Sequence, residues 1–318
     1  EYLLPVDSDT KEEIFGGFMD NSVKHNVEVR KESKNKELIV EVDYLDSWLD
    51  KITYSENVMT DLNRVLDLSM VSIGMYEIPE HHFRRIWIGD TETYGRIHDE
   101  GGFQTKSSST RKQVLIDKQE TVTIDMCALH PRILYTLEGI ELPDDFDPYP
   151  QLDIQLDTRR INKFKKFYSK DEYDPLRNLS KIVLLILLNA ASRSEAVYAI
   201  KNKLLADGNK GNTRKEKDML FIGVPEDLDV SSVIDAVEKH NKDISKYFSK
   251  GMSGMLMTKD SDIMIEAIAS LVSVDIVCLP VHDSLTVKAV HASHARKALE
   301  CGYKKVMGSL MNFKCKEE

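Results

Sequence analysis

Two aspartates stand where strand-forming sequence stops. Asp125 closes Thr121–Asp125 (TVTID), whose β-branched residues predict a strand. Asp283 lies in a turn at His282–Asp283, between the apolar strand Val274–Pro280 and its return Leu285–Val287. If these strands are neighbours in one sheet, both carboxylates face one point. Two such charges about 4 Å apart repel by roughly 4 kcal/mol at a surface-like effective dielectric. A shared proton or a divalent cation offsets that repulsion. Hard oxygen ligands at a strand edge suit Mg²⁺, which takes one or two protein carboxylates and keeps positions for water and substrate phosphates. The competing reading is two unrelated surface aspartates.

Two cations form a second feature. Arg177 and Lys181 are four residues apart on a helix predicted over residues 174–206, with Pro175 in its first turn. A forked guanidinium and a compact ammonium on one face can hold a polyphosphate. A solvated charged face is the other reading of such a pair. The next two turns are almost wholly apolar, which sets both cations at the mouth of a buried helix.

The elements that must carry these groups follow from hydrophobic period and punctuation. Glu37–Val42 alternates as a strand, Asn57–Leu68 fits a short helix, and Arg84–Ile88 reads as a strand. Residues 98–112 read as a Gly/Ser/Thr loop, and Leu129–Glu138 is helical in character. Residues 139–158 form an extended acidic connection, and residues 207–218 a polar loop. Further helices are predicted over Ser232–Phe248, from a cap at Asp260 or Ser261 through Leu271, and over residues 292–311.

Composition narrows the class. With 318 residues, 42% apolar and 30% charged, the chain is neither disordered, fibrous nor disulfide-built. The apolar run Ile182–Leu188 is too short to cross a bilayer, and no signal-peptide pattern opens the sequence. Opening on Glu1 rather than methionine suggests a piece of something longer. Four cysteines without C-x-x-C spacing read as free thiols in a reducing compartment. A net charge of −10 argues against non-specific nucleic-acid binding, but its distribution is uneven. Residues 136–157 hold seven acids and no Lys or Arg, whereas residues 158–181 hold eight Lys or Arg against three acids. The segment Lys163–Tyr168 interleaves cations with aromatics, as a strand of nucleic acid or the outer face of an amphipathic helix would require. His81, His82 and His98 lack partner ligands at metal spacing and read as solvent-exposed or nucleic-acid-facing.

Three segments together carry a resemblance. Asp125-Met-Cys-Ala-Leu-His130-Pro-Arg132 resembles motif A of family A polymerases, D-Y-S-x-x-E-x-R, in its aspartate and arginine. Arg177-x-x-x-Lys181-x-x-x-Leu185-x-x-x-Asn189-Ala190 resembles motif B, R-x3-K-x3-F-x3-Y-G, in both cations. Val281-His282-Asp283-Ser284 resembles motif C in the form used by single-subunit phage RNA polymerases. Gly95-Arg96 and Gln104 resemble the T-G-R-L … L-Q-N stretch of bacterial DNA polymerase I, and Ala292–Leu310 with Asn312–Cys315 resembles that palm's ending. The resemblance covers residues 91–318, in order and register, and its wording is that of a short phage-type variant.

It implies an α+β, right-hand polymerase-like fold: an antiparallel palm sheet, helical fingers, a reduced or absent thumb and no exonuclease domain. The implied organisation is an N-terminal region over 1–90 (a reduced thumb or docking module), palm over 91–158, fingers over 159–255 and palm again over 256–318. It implies that Asp125, Asp283 and the Met126 carbonyl bind two Mg²⁺, with Mn²⁺ a substitute. Arg177 and Lys181 would grip the incoming triphosphate, with Lys181 also catalytic at the leaving pyrophosphate. His130, Asn189 and Arg132 would bind substrate. His282 would touch the primer terminus, and Arg96 and Gln104 the template–primer.

The implied activity is template-dependent nucleotide addition to a primer 3′-hydroxyl, as a DNA polymerase or in priming. Its partners would be a DNA or RNA template–primer, nucleoside triphosphates and a replication protein, with no membrane, in bacterial or phage-infected cytoplasm. The departures are His130 for motif A's glutamate, and Leu185, Asn189 and Ala190 for motif B's phenylalanine, tyrosine and glycine. They remove the aromatic platform for the incoming base and leave sugar choice open. Single-subunit RNA synthesis, untemplated terminal transfer and a non-catalytic nucleic-acid-binding palm remain alternatives.

Overall fold

The computed structural model describes residues 26–30, 42–73, 76–78, 81–88, 90–169, 171–208 and 219–318. The chain forms two compact units. One comprises residues 1–136 and 254–318, and the other residues 137–253. Both described sheets lie in the first unit, and the architecture is mixed helix and largely antiparallel sheet.

In the first unit, β1 (Val27–Arg30) pairs parallel to β4 (Phe83–Ile88), which pairs antiparallel to β5 (Arg96–Asp99). Helix α1 (Val42–Asp67) packs on β4. Its buried Asn63 donates to the Phe83 carbonyl at 2.9 Å and accepts from the Phe83 amide at 2.8 Å. One carboxamide thereby satisfies both backbone groups of a strand residue. The expected helix over Asn57–Leu68 is the C-terminal half of α1. The strand expected over Glu37–Val42 lies outside the described residues except for Val42, which opens α1.

The larger sheet has the order β3 (Tyr76–Glu77), β2 (Val71–Ile73), β6 (Val114–Ile116), β7 (Gln119–Met126), β9 (Ser284–Lys288), β8 (Cys278–Val281). Strand β10 (Cys315–Glu317) also pairs with β7. Helices α3 (Leu129–Leu137), α8 (Ser253–Val272) and α9 (Ala292–Met307) belong to this unit's core, with Ile124, Ile133, Ile263, Leu285, Leu299 and Tyr303 fully buried. The loop expected over residues 98–112 contains the end of β5 and the single helical turn α2 (Ser108–Arg111).

Glycine is required where β5 begins. Gly95 has φ +57, and a Cβ there would stand 2.5 Å from the Trp87 indole nitrogen. Its carbonyl accepts from Arg85 Nε at 2.8 Å and from the Ser261 hydroxyl. The sequence pair Gly95-Arg96 thus has a packing reason: the backbone lies directly on Trp87.

The second unit is helical: α4 (Thr158–Tyr168), α5 (Pro175–Asn189), α6 (Arg193–Gly208) and α7 (Val230–His240). Asp174 caps α5, accepting from the Leu176 and Arg177 amides at 3.0 Å, with Pro175 in the first turn. The single helix expected over residues 174–206 breaks at Ala190, which is extended (φ −66, ψ 142). Ser192 and Glu195 restart it. Glu195 donates its amide to the Ser192 hydroxyl at 3.2 Å, and its carboxylate accepts from the Ala191 amide at 2.9 Å. This is a capping-box pattern, shifted by one residue on the carboxylate side. The carbonyls freed at the end of α5 are met by the amides of Ser249, Gly251 and Met252. The helix expected over Ser232–Phe248 ends at His240, followed by a short 3₁₀ turn at Ser245–Tyr247. Most of the polar loop over residues 207–218 lies outside the described residues.

Gly95→Ala should destabilise the protein by about 2–3 kcal/mol, combining left-handed strain with overpacking on Trp87. A thermal melt checks this. A variant that melts with the parent would contradict the close approach.

Candidate active site

The carboxylates come together through register. Strands β7 and β9 pair antiparallel with Ile124 opposite Leu285 and Asp125 opposite Ser284. Asp283 is the residue before Ser284, in the two-residue turn between β8 and β9. The Met126 amide donates to the Asp283 carbonyl at 3.1 Å, which ties the end of β7 to that turn. His282 takes φ +53 at the first position of the turn, where tight hairpins call for a left-handed residue. The Ser284 hydroxyl closes the turn by donating to the Val281 carbonyl at 2.8 Å.

The charges feel one another. The Asp283 carboxyl is pushed up to about 7, first by desolvation and then by the negative charges of Asp260 and Asp125. Asp125 keeps 28% of its side chain exposed and has Lys316 Nζ at 3.7 Å, supplied by β10. Among the described residues, no group of three or more His, Cys, Asp or Glu side chains is arranged to hold a metal ion. Two carboxylates and a backbone carbonyl are nevertheless donors of the right hardness for Mg²⁺, which fills its remaining positions with water and phosphate.

Asp260 was legible only as a helix cap. The structure places it in the middle of α8, which begins at Ser253, and on the buried face with Leu256, Ile263 and Ala267. The apolar period starting at Leu256 was the available signal, since it puts position 260 one turn inward. Asp260 Oδ2 lies 3.5 Å from His130 Nε2 and 3.9 Å from Arg96. Asp260, Arg96 and His282 also line one small cavity. His130 and Arg96 therefore sit beside the acidic pole.

The remaining predicted residues divide. Gln104 donates to the Pro280 and Ile97 carbonyls at 2.9 and 3.2 Å and accepts from the Asp99 amide at 3.2 Å, so its amide braces β5 against β8. Arg132 is buried, with its guanidinium 3.4 Å from the Asn312 carbonyl. Both lie inside the scaffold of the first unit. His81 and His82 are half-buried rather than open to solvent, and burial lowers the pKa of His81.

In the second unit, Arg177, Lys181, Leu185 and Asn189 are all exposed and recur every fourth residue, forming one stripe along α5. Arg177 is held to Asp147 at 3.1 Å and stacks over Tyr149 at 5.0 Å. Helix α4 buries Ile161 and Phe164 and turns Lys163, Lys166 and Phe167 outward, as an amphipathic helix does.

No protein-family model and no curated protein matches the sequence. Among solved structures, the chain is similar to the POL domain of Pol1 from M. smegmatis, in complex with DNA primer-template and dNTP. The two are 13% identical with a TM-score of 0.35, and the match covers 98% of this chain and 59% of that one. This chain thus spans less than two thirds of that chain's length.

The Asp283 environment fixes a pH dependence. Its folded pKa lies above the ordinary carboxylate value near 4, so between about pH 4 and 7 the folded state holds more protons than the unfolded state. Stability therefore falls as pH rises through that window in metal-free protein. Solvent at the partly exposed edge of Asp283 limits the loss to about 1–2 kcal/mol. Asp283→Asn should flatten this fall in denaturant titrations at pH 5 and pH 8. An unchanged slope would contradict the assignment.

Proposed function

We propose that the protein is a template-dependent nucleotidyltransferase of the family A polymerase type, adding nucleotides to a primer 3′-hydroxyl. One observation carries the reading. The β7–β9 register puts the motif A and motif C aspartates at one end of one sheet, close enough for Asp125 to raise the pKa of Asp283. That juxtaposition is costly for a scaffold and useful for holding divalent cations.

In this reading Asp125, Asp283 and the Met126 carbonyl would hold two Mg²⁺. When bound, these ions supply a more acidic 3′-hydroxyl and charge neutralisation on the triphosphate. The chain's own groups bind and orient. Arg177 and Lys181 take the triphosphate, and Lys181 is the proton donor or counter-charge for the leaving pyrophosphate. Among the described residues Lys181 has no ion-pair partner, so it is available for this role. Arg177 would exchange Asp147 for phosphate. His282 and Arg96 meet the primer end, with Gln104 bracing the strand that carries Arg96. His130 and Asn189 offer polar contacts to the nucleotide, and Arg132 supports the motif A helix from within. The natural partners are a DNA or RNA template–primer and nucleoside triphosphates, in replication or priming.

Primer extension with Mg²⁺ tests the reading, with DNA and RNA templates and with dNTPs and NTPs offered separately. Asp125→Ala and Asp283→Ala should each lower extension at least about a hundredfold while circular dichroism remains that of the parent. Two variants that extend as well as the parent would overturn the mechanism. Lys181→Ala should raise the nucleotide KM or lower kcat by about tenfold, and unchanged kinetics would remove its phosphate role.

A further inference from the structure

The acidic pole holds two polar atoms that the carboxylate pair does not use. Asp260 has only 6% of its side chain exposed, and its Oδ2 faces His130 and Arg96. Its Oδ1 is buried and has no hydrogen-bond partner among the described residues. Arg96 Nε is also buried and without an acceptor. Both side chains line the same small cavity, beside Ser261 and His282. An unmet acceptor and an unmet donor thus belong to two side chains that line one cavity, and each is costly to leave unpaired.

The chemistry of an occupant follows from those two needs. A metal cation would serve Oδ1 but meet the Arg96 guanidinium. An anion would serve Arg96 but meet the Asp260 carboxylate. An ammonium only donates, and a carbonyl only accepts. A hydroxyl does both: its O–H donates to Asp260 Oδ1, and its oxygen accepts from Arg96 Nε–H.

We propose that Asp260 and Arg96 form a hydroxyl subsite that reads a ribose 2′-hydroxyl, making Asp260 a specificity-determining residue. This rests on the polymerase reading, in which Arg96 and His282 meet the primer end. The 3′-hydroxyl is common to both sugars and belongs to the Asp125–Asp283 pole. The 2′-hydroxyl is the group that separates ribose from deoxyribose. A deoxyribose there would leave both protein groups unmet, which is how a site built to bind a hydroxyl rejects the analogue lacking it. The ribose would belong either to the primer terminus or to the incoming nucleotide.

Equilibrium binding to the full chain separates these sources. In one arm, fluorescence anisotropy compares template–primers ending in a ribose or a 2′-deoxyribose residue. In the other, NTP and dNTP are titrated in Ca²⁺ onto protein holding a 2′,3′-dideoxy-terminated primer. The parent should bind the ribose form at least about tenfold more tightly in one arm, which identifies the sugar, and Asp260→Ala should bring that ratio within about twofold of unity. Asp260→Val, which removes the acceptor while filling the space, tests the same ratio if the alanine variant does not fold. Equal binding of both sugars by the parent in both arms would overturn the subsite and leave a trapped water as the occupant. A ribose preference that survives substitution of Asp260 would overturn it too. Extension assays on the same protein preparations, with 3′-hydroxyl primers and Mg²⁺, keep the two claims apart. Ribose preference without extension would end the polymerase reading alone, and extension without preference would end the subsite alone.

Discussion

The antiparallel pairing of β7 with β9 is the constraint on which the first unit depends. Side chains alternate faces along a strand, so a one-residue slip would move Asp125 to the opposite side of the sheet. Two kinds of contact hold the register. Ile124 and Leu285 are opposite one another and fully buried on one face. On the other face the Thr123 and Thr286 hydroxyls lie 2.8 Å apart. Asp125 shares that second face with Thr123. The hydrophobic core therefore fixes where the carboxylates point, and their mutual repulsion is borne by burial of other groups. Helix α9 packs behind the same strands, close enough to α8 that a Cβ on Gly302 would stand 2.5 Å from the Ile263 carbonyl.

The pole is not simply acidic. Asp125, Asp260 and Asp283 carry the negative charge, and Lys316, Arg96 and His130 are set against it on three different elements: β10, β5 and α3. Such an arrangement limits the cost of gathering carboxylates without cancelling their field. It also differs from the buried Arg85, whose guanidinium is met by Asp262, Ser55 and the Gly95 carbonyl. That cluster sets the geometry around Gly95 and so the start of the strand that carries Arg96. Asp260 and Asp262 are thus near neighbours on one helix, yet differ in what satisfies them: Asp262 meets Arg85, whereas one oxygen of Asp260 has no hydrogen-bond partner among the described residues.

Much of this was legible in sequence because it was local. The β-branched run before Asp125 and the two-residue turn at Asp283 announce their strands, and Asp174-Pro175 announces the start of α5. The break at Ala190 was also written in the sequence, as Ser192 and Glu195, but the continuous apolar run before it outweighed a capping signal four residues long. Asp260 was hidden for a different reason. An aspartate ahead of an apolar stretch looks like a cap, and only the helical period upstream, from Leu256, shows that the helix has already begun. The structural roles of the half-buried Gln104 and the buried Arg132 were not legible at all, because their partners, the Pro280 and Asn312 carbonyls, are backbone groups remote in the chain. Short strands such as β2, β6 and β10 were missed because three-residue strands carry too little alternation to register.

The central claim is that Asp125 and Asp283 jointly hold hard divalent cations. Mn²⁺ titration followed by electron paramagnetic resonance tests it directly, on the full chain with a nucleoside triphosphate present. The account predicts saturable binding that Mg²⁺ competes away and that weakens sharply in both Asp125→Asn and Asp283→Asn. Mn²⁺ binding indifferent to both substitutions, in variants that keep the parent's fold, would contradict it.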